Sequence, residues 1–253
     1  MLDASVVFAV TVYSISHTQA RLAATSRGAR IATSRVGPEM FARTIPTDYA
    51  RLRTAGEYVA QALSAATECR ITSPAGTDVT LGVAGRRAVI DDGHLKRPGA
   101  FGNLPAGEAY IPPIETIGDG VIVFDGSLAT YGLLKQPLRI ELQEGRAVAA
   151  SGEAAGWLLA TLDAGGDPGR SIAEIGIGTK PRARLCGSTA VDEKALGTAH
   201  LAFGTNATFG GRNVSTVHID GIMLEPTVEL DGQRLLDRGR LQHASSATDG
   251  QPA

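Results

Sequence analysis

The segment Ser215-Thr216-Val217-His218-Ile219-Asp220 is the stretch whose residue types most directly suggest chemistry. On a strand, alternate side chains share a face. Val217 and Ile219 would enter a core, and His218 and Asp220 would emerge together on the other side, roughly 6.5 Å apart along the strand. An imidazole and a carboxylate so placed can chelate one cation, although a strand with an ordinary polar outer face reads the same way. Glu174, inside the apolar run Ile172–Gly178, is the second candidate. A carboxylate there is costly unless paired or metal-bound. Gly176 and Gly178 share its face and would leave open space beside it; a Glu at the strand mouth, in water, is the alternative.

His200 stands among Ala199, Leu201, Ala202 and Phe203 and is predicted to be buried. It would share a helical face with Glu193 if Asp192–His200 is helical, but Gly197 weighs against that helix. A core histidine bonded to backbone fits equally well. In Asn103-Leu104-Pro105-Ala106-Gly107-Glu108 the Pro and Gly make a turn that delivers Glu108 to a strand beginning at Ala109. His17, in Ser16-His17-Thr18, follows the first strand at the edge where parallel α/β layers tend to bind ligands, although helix capping also explains the two hydroxyls. Gly210-Gly211-Arg212-Asn213 reads as a tight turn whose Arg and Asn could hold a polar group of a substrate. His94, in a Gly/Asp/Lys loop, needs no role. Neither the GxxxxGK[ST] nor the GxGxxG pattern occurs where a phosphate or dinucleotide site would need it.

The elements that must position these groups divide in two. Val6–Val12 is a β-branched apolar run of the kind buried on both faces. A short helix to about Arg27, stopped by Gly28, and a strand Ala29–Thr33 follow, which predicts a parallel pair in an α/β layer. Pro38 and Glu39 open another helix. Thr47 and Asp48 start a longer amphipathic one through Leu52, Ala55, Val59, Ala62, Leu63 and Ala66. From about Glu68, short strands separated by Gly and Pro dominate: Cys69–Ser73, Asp78–Val83, Ala88–Asp91, Gly120–Phe124, Pro137–Leu142, Ala147–Ala150, Ser171–Gly178, Val214–Asp220 and Thr227–Leu230, with a helix near Glu153–Leu162. The expectation is a partial α/β (Rossmann-like) N-terminal layer over residues 1–67, then a β-rich α+β domain over 68–240 carrying the metal site, then a disordered tail over 241–253, which removes His243 from consideration.

The chain has 253 residues, 43% of them hydrophobic, and a net charge of −2. With no basic excess and aromatics at 5%, nucleic acid is not an expected partner. The apolar start is too short to span a bilayer and lacks a positive leader, so no membrane association is expected and the reading is cytoplasmic. Cys69 and Cys186 form no CxxC pattern and are expected to be buried thiols.

The order NLPAGE (Asn103–Glu108), AEIGIGT (Ala173–Thr179), DEKALGTAHLAFG (Asp192–Gly204), GGRNVSTVHIDGIM (Gly210–Met223) and PTV (Pro226–Val228) resembles the metalloaminopeptidases of the aminopeptidase T/aminopeptidase S group, peptidase family M29. The resemblance implies a homodimeric hydrolase that removes N-terminal residues from small peptides with two zinc or cobalt ions. It places the ligand roles on Glu108, Glu174, His200, His218 and Asp220. In that mechanism a metal-bound water attacks the peptide carbonyl, with Glu108 or Glu193 accepting its proton and His17 a further candidate catalytic group. A ligand tyrosine would follow His200, but Gly204-Thr205-Asn206-Ala207-Thr208-Phe209 contains none. Such proteins also begin with more α/β sequence before the equivalent of Val6–Val12.

A second branch of the resemblance is the 2,5-dihydroxypyridine dioxygenases, similar around His17 and in the HxD segment. They use one Fe(II) on two His and one carboxylate. A His stands there in place of Glu174, and Glu108 and His200 have no ligand counterparts. Because all three positions carry the peptidase-type residue, hydrolysis is the expectation and the dioxygenase, with His200, His218 and Asp220 as its triad, the alternative.

Overall fold

The first apolar run forms the strand Val6–Val10, the helix Gln19–Ser26 follows, and the strand Arg30–Ser34 returns parallel to the first, with Val6 opposite Arg30 and Val10 opposite Ser34. These elements belong to the computed structural model, which describes residues 1–181 and 183–242. Thr18 caps the helix by accepting from the Arg21 amide at 3.2 Å, and Gly28, with φ of 92°, reverses the chain behind it. A third parallel strand, Phe101–Asn103, joins Arg30–Ser34 from much further along the chain. All three strands therefore point their carboxyl ends the same way.

Helices Pro38–Thr44 and Tyr49–Ala65 start where Pro38 and Asp48 predict. The Asp48 carboxylate accepts from the amides of Ala50 and Arg51, each at 3.1 Å. The second helix buries Leu52, Val59, Ala60 and Leu63, and the last three enter the core of the β-rich part. The helix and the Phe101–Asn103 strand thus each side with the sheet on the far side of residue 67, and one cut there does not separate the sheets.

The remaining strands make two antiparallel sheets. In the first, seven strands run in the order Gly132–Leu133, Ser127–Leu128, His218–Met223, Ala199–Gly204, Ile172–Gly178, Glu108–Ile111 and Val89–Asp91. The second has eight, with Gly118–Phe124, Asp78–Gly82 and Glu68–Thr72 at its centre. One core joins them, with Ile71, Leu81, Ile122 and Ile140 meeting Ile111, Ile175, Leu201 and Phe203. The mixed α/β, sheet-rich architecture matches the expected fold class.

Local departures have local causes. The strand expected over Val214–Asp220 begins only at His218 and runs on to Met223. Ser215 donates to the Gly165 carbonyl at 2.7 Å and accepts from the Val217 amide at 3.3 Å, which holds that stretch in a turn. Of the Asp192–His200 region only Asp192 is helical, as the last residue of the short helix Thr189–Asp192, and Gly197, at φ of 91°, breaks the chain before the strand that carries His200. Cys69 is buried as expected, whereas Cys186 is exposed; both are free thiols. Apart from Leu241 and Gln242, the expected tail 241–253, His243 included, lies outside the described residues. Among those described, no helix is long and apolar enough to cross a membrane.

Candidate functional site

Register brings the scattered candidates together. Gly178 pairs with Glu108 and Gly176 with Tyr110; on the other side Gly176 pairs with His200. Ala202 stands between Glu174 and Asp220, and Gly204 lies opposite His218. Paired residues in an antiparallel sheet project to the same face. Glu108, Glu174, His200, His218 and Asp220 therefore rise from four adjacent strands on one side, while Ile175, Leu201, Phe203 and Ile219 enter the core on the other. Small residues at Gly176, Gly178, Ala202 and Gly204 clear the middle. The space that Gly176 was expected to leave beside Glu174 is filled by the His200 ring, which a Cβ at 176 would strike, and the space at Gly178 by the backbone of Ala195.

Glu174 lies between the two imidazoles. His200 Nε2 is 3.2 Å from its Oε1 and His218 Nε2 is 3.4 Å from its Oε2. His200 Nε2 also lies 3.4 Å from Glu108 Oε2, and His218 Nε2 lies 3.2 Å from Asp220 Oδ1. His218 donates from Nδ1 to the Thr205 carbonyl at 2.8 Å, which leaves Nε2 as its ligand nitrogen. Glu108 Oε2 and His200 Nδ1 are buried without a hydrogen-bond partner. Three sets of donor atoms fall within 4.8 Å of one another: Glu108, Glu174 and His200; Glu174, His218 and Asp220; and Glu193, His200 and Asp220. His200 and His218 share none of these sets, so the alternative triad of His200, His218 and Asp220 does not form as drawn from sequence.

Lys194 escaped the sequence reading. It is fully buried, with its ammonium against Glu108, 2.9 Å from Glu193 Oε1 and 3.4 Å from Asp91 Oδ2. Glu193, expected as a proton acceptor, is thus engaged by a cation. The available signal was a lysine directly before the apolar approach to His200.

The opposite wall of the cleft comes from the three-stranded parallel sheet, whose carboxyl ends supply Ser14, Ser16, His17, Arg35 and Asn103, with Phe101 from the start of the third strand. Of the hydroxyls around His17 only Thr18 caps the helix; Ser16 lies 3.3 Å from Asn103 Oδ1. His17 Nδ1 is 2.6 Å from Thr208 Oγ1, and its ring centroid is 4.6 Å from that of His218. Phe209 packs against His17, His218 and Tyr110. Arg35, Thr208 and Phe209 give no signal in the sequence, because loop positions carry no periodicity, and Tyr110, on the strand Glu108–Ile111, reads as an ordinary strand aromatic. The Gly210–Asn213 turn faces elsewhere: the Arg212 amide donates to Glu115 Oε1 at 2.6 Å and the Asn213 side chain to the Ile172 carbonyl at 3.4 Å.

Burial sets the electrostatics and the pairings then redirect them. Burial pushes Glu108 up to about 8 against the pull of Lys194. Burial also works upward on Glu174, but hydrogen bonds from His200 and His218 bring it down to about 2. Burial opposes the charge on His200, and Glu174 and Glu108 outweigh it, raising that ring to about 9. For Asp220 the upward push of burial is overcome by His218, which holds it well below the usual carboxylate range. Burial, then the neighbouring His218, lowers His17 to about 3, so it is neutral.

The family model described as NicX, 2,5-dihydroxypyridine 5,6-dioxygenase, matches residues 1–243. Among solved structures, the chain is similar to the 2,5-dihydroxypyridine dioxygenase from Pseudomonas putida KT2440, with a TM-score of 0.84 and 21% identity over 96% of this chain and 73% of that one. It is less similar to wild-type AmpT from Thermus thermophilus, with a TM-score of 0.61 and 23% identity over 78% of this chain and 56% of that one. No curated protein matches the chain. At such identities the two likenesses bear on the fold, and the weaker one supports the relation between the two branches of the resemblance. The expectation of a peptide hydrolase is overturned by the family match. The chain belongs to the 2,5-dihydroxypyridine 5,6-dioxygenase family.

Proposed function

We propose that the chain opens a dihydroxylated aromatic ring of the 2,5-dihydroxypyridine type with dioxygen, using one ferrous ion held by Glu174, His218 and Asp220. The observation that carries this reading is the division of the cleft. Three N/O donors, two of them on buried carboxylates and one on the half-buried His218, lie within 4.8 Å of one another on one wall, and a neutral imidazole with aromatic neighbours faces them from the other. The donor set suits a divalent cation. Four buried carboxylates, Glu108, Glu174, Glu193 and Asp220, face two imidazoles and one ammonium, and His218 already presents Nε2. Mixed imidazole and carboxylate ligation fits ferrous iron.

The ion, when bound, supplies the one-electron chemistry that lets dioxygen react with a closed-shell ring. The side chains do the rest. Glu174 and Asp220, in one cross-strand row on either side of Ala202, would hold the cation, and the Thr205 carbonyl fixes the His218 tautomer. His17 accepts the proton of a ring hydroxyl at Nε2, because Nδ1 is engaged by Thr208. Phe101, Tyr110 and Phe209 provide flat walls that orient a ring and limit water.

The test is anaerobic reconstitution with ferrous iron, followed by oxygen uptake and loss of ring absorbance with 2,5-dihydroxypyridine. One iron per chain and matched consumption of ring and oxygen are expected. Absence of oxygen uptake in iron-loaded protein overturns the reading. Two ions per chain would bring Glu108 and His200 into the ligand set, which the partnerless Glu108 Oε2 makes the competing arrangement.

A further inference from the structure

The strand-end wall of the cleft carries one strong cation. Arg35 directly follows the strand Arg30–Ser34, lines the cleft and is half-buried. Among the described residues that line the cleft it is the one guanidinium or ammonium group, and it makes no ion pair or hydrogen bond with any described residue. The buried arginine nearby is used. Arg21 donates from Nε to the Ser16 carbonyl at 2.7 Å and lies over the Phe101 ring. Asp220 is already paired with His218. A guanidinium that has given up part of its water without a protein partner is a cost in the free protein, and a bound anion would offset it.

We propose that Arg35 binds a carboxylate on the substrate ring, so that the preferred substrate is a dihydroxylated aromatic acid and not the bare ring. The proposal rests on the ring-opening reading for the kind of ring, and on Arg35 for the carboxylate. The planar fork of guanidinium matches a carboxylate through two parallel hydrogen bonds. Ser14, whose Oγ accepts from the Ser16 amide at 3.2 Å, keeps its hydroxyl proton for the same group. Charge also sets the direction of binding. Glu108, Glu174, Glu193 and Asp220 on the facing wall repel a carboxylate, so the acid group lies toward Arg35 and one of the two para hydroxyls toward the cation site.

Affinity of the iron-loaded protein, measured without oxygen, tests this with two probes: 2,5-dihydroxypyridine and its analogue carrying a carboxylate on the carbon next to nitrogen. The carboxylated ring should bind about tenfold more tightly, roughly what one hydrogen bond to a charged group contributes. Arg35→Gln, which breaks no hydrogen bond or ion pair with any described residue, should bring the ratio close to one, and Arg35→Lys should keep part of it. A ratio unchanged in Arg35→Gln would mean that chelation at the ion causes the preference and would overturn the proposal, as would a preference for the bare ring or failure of both probes to bind. Arg35-dependent binding without oxygen uptake would leave this inference standing while the ring-opening reading falls. Turnover of the bare ring with no effect of Arg35→Gln would do the reverse.

Discussion

The two walls of the cleft are built by opposite means. The seven-stranded antiparallel sheet gathers its groups on a face: four neighbouring strands each contribute alternate residues, and register decides which of them meet. The three-stranded parallel sheet gathers its groups at an edge, where the strands stop and loops begin. A face gives buried, closely spaced donors with little freedom, which suits an ion. An edge gives half-exposed groups on adjustable loops, which suits a changing organic molecule. The division predicts that damage to the face is felt as lost metal or lost fold, and damage to the edge as lost turnover.

The largest effect is expected from His218→Ala, which removes a donor common to no other strand end. Iron content should fall with activity to background, while His94→Ala changes neither; equal behaviour of the two variants would break the assignment of the face. Next comes Lys194→Met. It leaves Asp91, Glu108 and Glu193 buried around an uncharged chain, and breaking a buried pair in this way costs about 3–5 kcal/mol. Chemical denaturation should show it, and a variant as stable as the parent would mean that the three carboxylates do not need the ammonium. His17→Gln should lower kcat by about 100-fold or more, the usual range for general acid–base groups, with iron content unchanged. Loss of iron along with turnover would erase the distinction between the walls. The smallest effect belongs to Thr208→Val, for which about a tenfold fall in kcat with little change in KM is expected from loss of one hydrogen bond. Thr208→Ser should restore it, and a serine variant as poor as valine would show that packing, not the hydroxyl, matters.

The same contrast explains what could be read from the sequence. His218 and Asp220 two residues apart, and Glu174 in an apolar run, are visible because a sheet face imposes a period of two. Their convergence with Glu108 and His200 depends on strand pairing between residues far apart in the chain, and the motifs hinted at it only as an ordered set. Lys194 stayed hidden because a lysine is ordinarily solvated, and nothing local says that Asp91 and Glu108, far away in the chain, will join its neighbour Glu193 around it. Arg35, Thr208 and Phe209 sit in loops, where side-chain direction follows no repeat. His17 was visible through its position after the first strand, and the resemblance around it pointed to the family match more reliably than the acids of the opposite wall did.

One loop belongs to both walls. Between the strand that carries His200 and the strand that carries His218, the Thr205 carbonyl orients the His218 imidazole and the Thr208 hydroxyl holds that of His17. An insertion or deletion there would detune both at once, so this connection has little room to drift. Divergence in what the cleft accepts has freer ground at the strand ends around Ser14 and Arg35, where one side chain can change without moving the other machinery.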